Sequence, residues 1–433
     1  MSTHVGLRDL FLLRPGVVFL NHGSFGACPR PVFEAYQAWQ LELERQPVEF
    51  LGRCFEHLMR EARASLGVFV GAETDDLVYV PNATTGLNIV ARSLPLAPDD
   101  EVLSTDHEYG ALDRTWRFMC QKRGARYIRQ PVTLPVTSAE QVVEAVWAGV
   151  TPRTRVFFMS HITSPTAIIL PVADLVHRAR RAGIITVVDG AHAPGQVPLD
   201  LETLGADFYT GNCHKWMMAP KGSAFLYARR EMQPLLEPLV VSWGWENERP
   251  VRQAQGRPVR QAQGRPGLSR FVDHHEWQGT RDMAPFLAVP AAIRFMEEHH
   301  WSQVRCACHE LVRYARQAIT ELTGLPPITP DAPRWFAQMA AFPLPPCDAE
   351  PLRRRLYDDF GIEVPIITWN GREFVRISVQ GYNTRADVDA LVEALRVSLS
   401  HAGCLTNSTR GPQNCTLTTG PWPVYGTVLT ACG

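Results

Sequence analysis

The sequence predicts an α/β protein: a mostly parallel sheet covered by helices on both faces, followed by a second, smaller domain. Two observations carry this. Between about residues 77 and 227, short apolar runs alternate with longer amphipathic stretches, the rhythm of strands buried on both faces and of the helices that cross between them. Beyond residue 286 the pattern becomes helix, strands, then helix. With 433 residues, 45% of them hydrophobic and only 20% charged, the chain can bury cores for more than one domain.

In chain order, an N-terminal arm over residues 1–30 leads into two helical stretches, "PVFEAYQAWQLELE" and "FEHLMREARASLG". Strands are expected at "LVYV" from Leu77, "EVLS" from Glu101, "RVFFMS" from Arg155, "IITVVD" from Ile184 and "SAFLYA" from Ser223. Between them "TTGLNIVARSL" and "PVADLVHRARRAG" read as helices, the latter opened by Pro171 and closed by Gly183. This places a large domain at 31–285 and a small one at 286–400, with a ligand site between them, where parallel strands end. Two segments look foreign to that plan. "RPVRQAQG" at 249–256 is repeated letter for letter at 257–264 and begins again at Arg265 and Pro266; two copies of so short a unit make no solenoid, so residues 249–266 read as an exposed loop insertion. The tail, 401–433, has one formally charged residue, Arg410, and little periodicity, and reads as an appendage.

Lysine and arginine total 43 against 44 acidic residues, so no overall field recruits nucleic acid or an acidic membrane surface. No stretch approaches membrane-spanning length. The expected partners are small molecules or protein, and the expected location is the cytoplasm. The ten cysteines include no CxxC pair and read as reduced core thiols. His274, His275, His299 and His300 invite a metal reading, but their surroundings look loop-like and polar, so they read as solvated or structural and no metal is expected.

Three clusters carry chemistry. Asp189 closes the strand "IITVVD", and strand ends are where such sheets present reactive groups; alone it would equally be a turn or cap aspartate. Lys215, in "GNCHKW", has small and aromatic neighbours that could partly bury it, which would make its amine easier to deprotonate and nucleophilic. Pyridoxal phosphate needs such a pair: a lysine for the Schiff base and a carboxylate that keeps the ring nitrogen protonated. In "PNATTGLNIV", Asn82, Thr84, Thr85 and Gly86 follow a strand and open a helix, a place that favours a phosphate, although Asn and Thr are also ordinary caps.

The ordered set "NATT", "DHEYGA", "SHITSPTA", "VVDGAHAPG", "NCHKW", "PKG", "WQGTRD" and "VRISVQGYNT", spread between about residues 15 and 398, resembles the class V aminotransferase group of pyridoxal phosphate enzymes and, within it, isopenicillin N epimerase-like proteins. The resemblance implies fold type I, with a mostly parallel seven-stranded sheet and a smaller α+β domain. It implies that Lys215 holds the cofactor, Asp189 pairs with the pyridine nitrogen and His192 lies near the ring hydroxyl. It further implies that His107 stacks on the ring and that Thr84, Asn212 and His214, with the Thr85 backbone, bind the phosphate. Thr280 would come from the neighbouring subunit of a homodimer with shared sites, and Arg376 would clamp a substrate carboxylate.

The same resemblance implies chemistry at the α-carbon of an amino-acid-type substrate. Lys215 removes the α-proton; reprotonation from the opposite face gives epimerisation, with His107 as the candidate second acid, whereas loss of a β-substituent gives a lyase. The alternatives are a carbon-sulfur lyase or a cysteine desulfurase-like enzyme, for which Cys347 in "PLPPCDAEP" is the one counterpart of a mobile nucleophilic cysteine. A noncatalytic pyridoxal phosphate-binding protein is the remaining alternative, although the chain shows no spare nucleic-acid-binding module.

Overall fold

The computed structural model describes residues 7–245 and 269–401. The duplicated segment at 249–266 and the tail at 402–433 therefore lie outside the described residues.

The central sheet has seven strands: β1 (Leu77–Val80), β2 (Glu101–Thr105), β3 (Arg126–Gln130), β4 (Thr154–Ser160), β5 (Ile185–Asp189), β6 (Phe208–Asn212) and β7 (Ala224–Ala228), in the spatial order β1-β7-β6-β5-β4-β2-β3. Only β7 runs against the rest, so the carboxyl ends of β1, β2, β4, β5 and β6 share one edge. Alternate residues of each strand enter opposite cores: Val78, Val156, Phe158 and Val187 pack on one face, and Leu77, Phe157, Met159 and Val188 on the other. This two-sided burial is why these strands read as nearly unbroken apolar runs. Two strands do not. β3, "RYIRQ", lies at the sheet edge with Arg126 and Arg129 exposed, charges that protect an open edge. β6, "FYTGN", ends in the polar residues that serve the site.

Helices cover both faces. Ala83–Ser93 opens on Asn82, whose side chain accepts the Thr85 N–H. Gly110–Arg123 buries Leu112, Trp116, Met119 and Cys120 and stops at Gly124, a left-handed cap. Phe55–Val70 buries Phe55, Met59, Ala62, Leu66 and Val70, one stripe of a 3.6-residue period, and ends at Gly71. Val172–Arg181 starts one residue after Pro171.

A second, antiparallel sheet holds β8 (Met339–Pro343), β9 (Ile366–Trp369) and β10 (Arg372–Ser378) in the order β9-β10-β8. Helices Trp301–Thr323 and Ala349–Asp358 contact this sheet, and Arg385–His401 packs on both helices. The N-terminal segment docks here as well, Val18 and Phe19 pairing in parallel with Ile362 and Glu363. It then turns back, so that Gly26, at φ +71°, lies against the His214 and Lys215 backbone. A β-carbon on Gly26 would come within 2.0 Å of the His214 carbonyl oxygen. Gly26→Ala is therefore expected to cost about 1–3 kcal/mol through backbone strain and overlap, measured as a lower unfolding temperature; a variant as stable as the parent would show that the two segments do not press together.

Candidate active site

At the shared carboxyl edge lies a cleft of about 390 Å³, lined by Thr84, Asp189, His192, Asn212, His214 and Lys215 among others. The sheet explains the convergence. Asp189 and Asn212 end neighbouring parallel strands, Ser160 stands opposite Asp189 in register, and three residues past Asn212 the chain reaches Lys215.

Burial shifts the charges. The Asp189 carboxyl is 4% exposed and is pushed above its ordinary range by burial, against the Ala191 N–H, which it accepts at 2.9 Å, and the charge of Lys215. The Lys215 amine is brought down to about 8 by burial and by the Arg376 charge, with Asp189 pulling the other way. His192 joins it to the wall. Its Nδ1 accepts from the indole N–H of Trp216 at 3.3 Å, and its Nε2 lies 3.3 Å from Lys215 Nζ. Because an indole only donates, a neutral His192 ring carries its hydrogen on Nε2 and offers it to an uncharged lysine amine. Burial drives His192 far toward that neutral form, and the charge of Arg376, with that of Lys215 while protonated, reinforces it.

At the phosphate-like end, Asn212 Oδ1 accepts the Ala83 N–H at 2.9 Å, which leaves its amide hydrogens for a ligand. His214 Nδ1 donates to the Ser223 carbonyl at 3.0 Å, and burial lowers the ring to about 4; a dianion at Nε2 would reverse that shift. Thr84 lines the cleft. Thr85 does not: its N–H and hydroxyl are both directed to Asn82 Oδ1, so the helix cap already uses the backbone donor expected for phosphate.

Arg376, on β10, lies behind the lining. Its guanidinium donates to the Ser164 carbonyl at 2.6 Å and to the Ser24 hydroxyl at 3.2 Å. Its Nε is buried without a partner, and the group faces no carboxylate among the described residues. A buried cation left this way is suited to an incoming anion.

His107 is corrected. It is fully buried, its Nε2 donating to the Val132 carbonyl at 2.8 Å and its Nδ1 paired with the Thr166 hydroxyl at 2.7 Å; it packs on Trp369 rather than facing the cleft. Both nitrogens are occupied within the protein and the ring packs on Trp369, so the structure does not bring His107 to the cleft lining. An aromatic side chain that does line the cleft is Tyr109, two residues further along the same "DHEYG" motif; the turn after β2 sends His107 inward and Tyr109 outward. Thr280 is exposed and does not line this chain's cleft, so serving a site would require a second chain. Cys347 does not reach the cleft either. His274 and His275 are buried on the helix Arg270–Glu276 rather than in a polar loop, which fits the structural rather than the solvated alternative. Ser24, Phe25, Ser160 and Ser164 also line the cleft and were not singled out from the sequence, although "SHITSPTA" contains two of them.

The chain matches the family model described as aminotransferase class-V over residues 27–391. It is 38% identical over 394 residues, 90% of this chain and 97% of the relative, to a protein named isopenicillin N epimerase from Amycolatopsis lactamdurans. It is 30% identical, over 88% of this chain and 83% of the relative, to a putative L-cysteine desulfhydrase from Oryza sativa subsp. japonica. In fold it resembles the crystal structure of a cysteine desulfurase from Escherichia coli, with a TM-score of 0.73 and 22% identity over 93% of this chain and 99% of that one. The chain belongs to the class V aminotransferase family.

The lowered basicity of Lys215 is open to measurement in cofactor-free protein. Its modification by an amine-selective reagent, followed on the Lys215 peptide by mass spectrometry, should rise with pH around a midpoint of about 8, whereas a lysine in a short unstructured peptide should rise about two units higher. A midpoint shared with that peptide lysine would contradict the cleft's electrostatics.

Proposed function

We propose that this chain is a pyridoxal 5′-phosphate-dependent enzyme acting at the α-carbon of an amino-acid-type substrate, most like an isopenicillin N epimerase. The observation that carries the reading is the convergence of the Lys215 amine and the Asp189 carboxyl in one cleft, backed by Arg376, a buried cation with an unused donor. When bound, the cofactor supplies a carbonyl for an amine and a ring that takes up carbanion charge.

The chain's own residues supply the rest. Asp189 would face the ring nitrogen, whose positive charge would favour the ionised carboxylate. His192 would face the ring hydroxyl. Thr84, Asn212 and His214 would hold the phosphate, together with Thr280 from the second chain of a homodimer. Tyr109 would lie against the ring in the role first given to His107. Arg376, with Ser24 and Ser164 beside it, would bind the substrate carboxylate. The uncharged Lys215 amine accepts the α-proton at Nζ. Inversion needs a second proton carrier. Besides Asp189, His192, His214 and Lys215, Tyr109 is the titratable side chain lining the cleft, and we assign that step to its hydroxyl. The reading includes a cytoplasmic protein, consistent with no disulfide among the seven described cysteines, and the division into an arm, a large domain (31–285) and a small domain (286–400). The carbon-sulfur lyase reading stays second, favoured by the 30% identical desulfhydrase relative.

Two measurements test this. The purified protein with pyridoxal phosphate should show a visible absorption band, borohydride should fix the cofactor's mass on the Lys215 peptide, and Lys215→Ala should show neither. Incubated in heavy water, isopenicillin N should exchange its α-hydrogen and invert, and Tyr109→Phe should slow inversion by about 100-fold or more, the scale of a lost general acid, while keeping the band. Sulfide released from cysteine without inversion would select the lyase; no band in the parent would overturn the reading altogether.

A further inference from the structure

Immediately before Tyr109, Glu108 is 5% exposed and faces no cation in an ion pair among the described residues. Its Oε1 accepts from the Thr105 hydroxyl at 2.7 Å and its Oε2 from the Ser160 hydroxyl at 2.5 Å. Ser160 ends β4, stands opposite Asp189 in register and lines the cleft. Glu108 thus reaches the strand beside Asp189 through the Ser160 hydroxyl, and of two buried carboxyls near enough to act on each other the ionisation of one disfavours that of the other. Their surroundings decide which keeps the proton. Asp189 has a backbone N–H and the Lys215 charge on its side; Glu108 has two hydroxyls.

We propose that Glu108 is a positioning residue of this site: an uncharged carboxylic acid whose clamp on Ser160 and Thr105 sets the floor beside Asp189, leaving Asp189 as the single negative charge available to a bound ring cation. The second half rests on reading Asp189 as the partner of the pyridine nitrogen. The same clamp anchors the turn that brings Tyr109 to the cleft. As an acid, Glu108 has one hydrogen to donate; given to Ser160, it frees the serine hydrogen to point elsewhere. The charge state agrees with the surroundings. Burial raises the carboxyl to about 8, opposed by the Ser160 and Thr105 hydroxyls and reinforced by Asp189 on β5 and Asp113 on the helix Gly110–Arg123. Tyr127 on β3 also faces Glu108, and its hydroxyl is bonded to Asp113.

The test compares full-length parent, Glu108→Gln and Glu108→Ala. Glutamine keeps a neutral clamp of nearly the same shape, so its cofactor band and pyridoxal phosphate dissociation constant should stay within about twofold of the parent, whereas alanine should weaken binding by about tenfold, as when a buried hydroxyl loses its partner. A cofactor-free readout fixes the charge. A glutamate that keeps its proton when folded, but releases it near its ordinary value when unfolded, makes the parent lose stability as pH rises from that value to about 8 and no further above it. Relative to the parent, the unfolding temperature of Glu108→Gln should therefore increase between about pH 5 and pH 8 and then level off. Parallel pH curves, or a glutamine variant that binds the cofactor as poorly as the alanine one, would overturn the proposal. If none of the three takes up pyridoxal phosphate, the functional reading and Asp189's role fail, while the cofactor-free curves still decide the charge of Glu108.

Discussion

Drawing a lysine amine out of water at the edge of a parallel sheet is the constraint on which the rest of this structure depends. Lys215 loses hydration without gaining a carboxylate in contact, and burial, helped by the Arg376 charge, lowers its affinity for a proton. The neighbourhood then has to be built for an uncharged amine. Trp216 directs the His192 hydrogen toward it, and the Nε2–H of His22, from the N-terminal segment, holds the Lys215 carbonyl at 2.9 Å. Tyr382 in turn fixes the other nitrogen of that ring, so a segment near residue 22 and one near residue 382 both steer the lysine. The docking of Val18 and Phe19 on Ile362 and Glu363 brings these distant parts together.

The distribution of charge around the cleft obeys one rule: a buried charge stays where an incoming group of opposite sign would neutralise it, and elsewhere the titrating group is kept neutral. Arg376 keeps its charge and an unused donor. Asp189 has a single backbone donor against its carboxyl. His192 and His214 are held uncharged by burial, and Glu108 is pushed the same way. Away from the cleft the chain answers differently, pairing Arg63 directly with Glu276 in the core, a self-contained ion pair that leaves nothing for a ligand.

Much of this was legible along the chain, and for identifiable reasons. Strands buried on both faces must be apolar throughout, so "LVYV", "RVFFMS" and "IITVVD" announced themselves, and Asp189 stood out because it ends such a run. The edge strand "RYIRQ" was missed because its exposure requires charge, and "FYTGN" because its end serves the site rather than the core. His107 misled because a family resemblance assigns a role by position in a motif, while the side chain's direction depends on a turn that neither residue type nor spacing encodes.

The sequence by itself determined the alternation of elements, the family, and the residue types from which the site is built, because those depend on local pattern and on composition at each position. Only the tertiary structure decided which of them meet. It placed Tyr109 instead of His107 at the cleft, engaged the Thr85 N–H in a helix cap, set Arg376 behind Ser24 and Ser164, and put Glu108 beside Asp189. These outcomes depend on strand register, on the direction of single turns and on the loss of water around groups more than a hundred residues apart, and side-chain charge and orientation result from that environment rather than from the order of the chain.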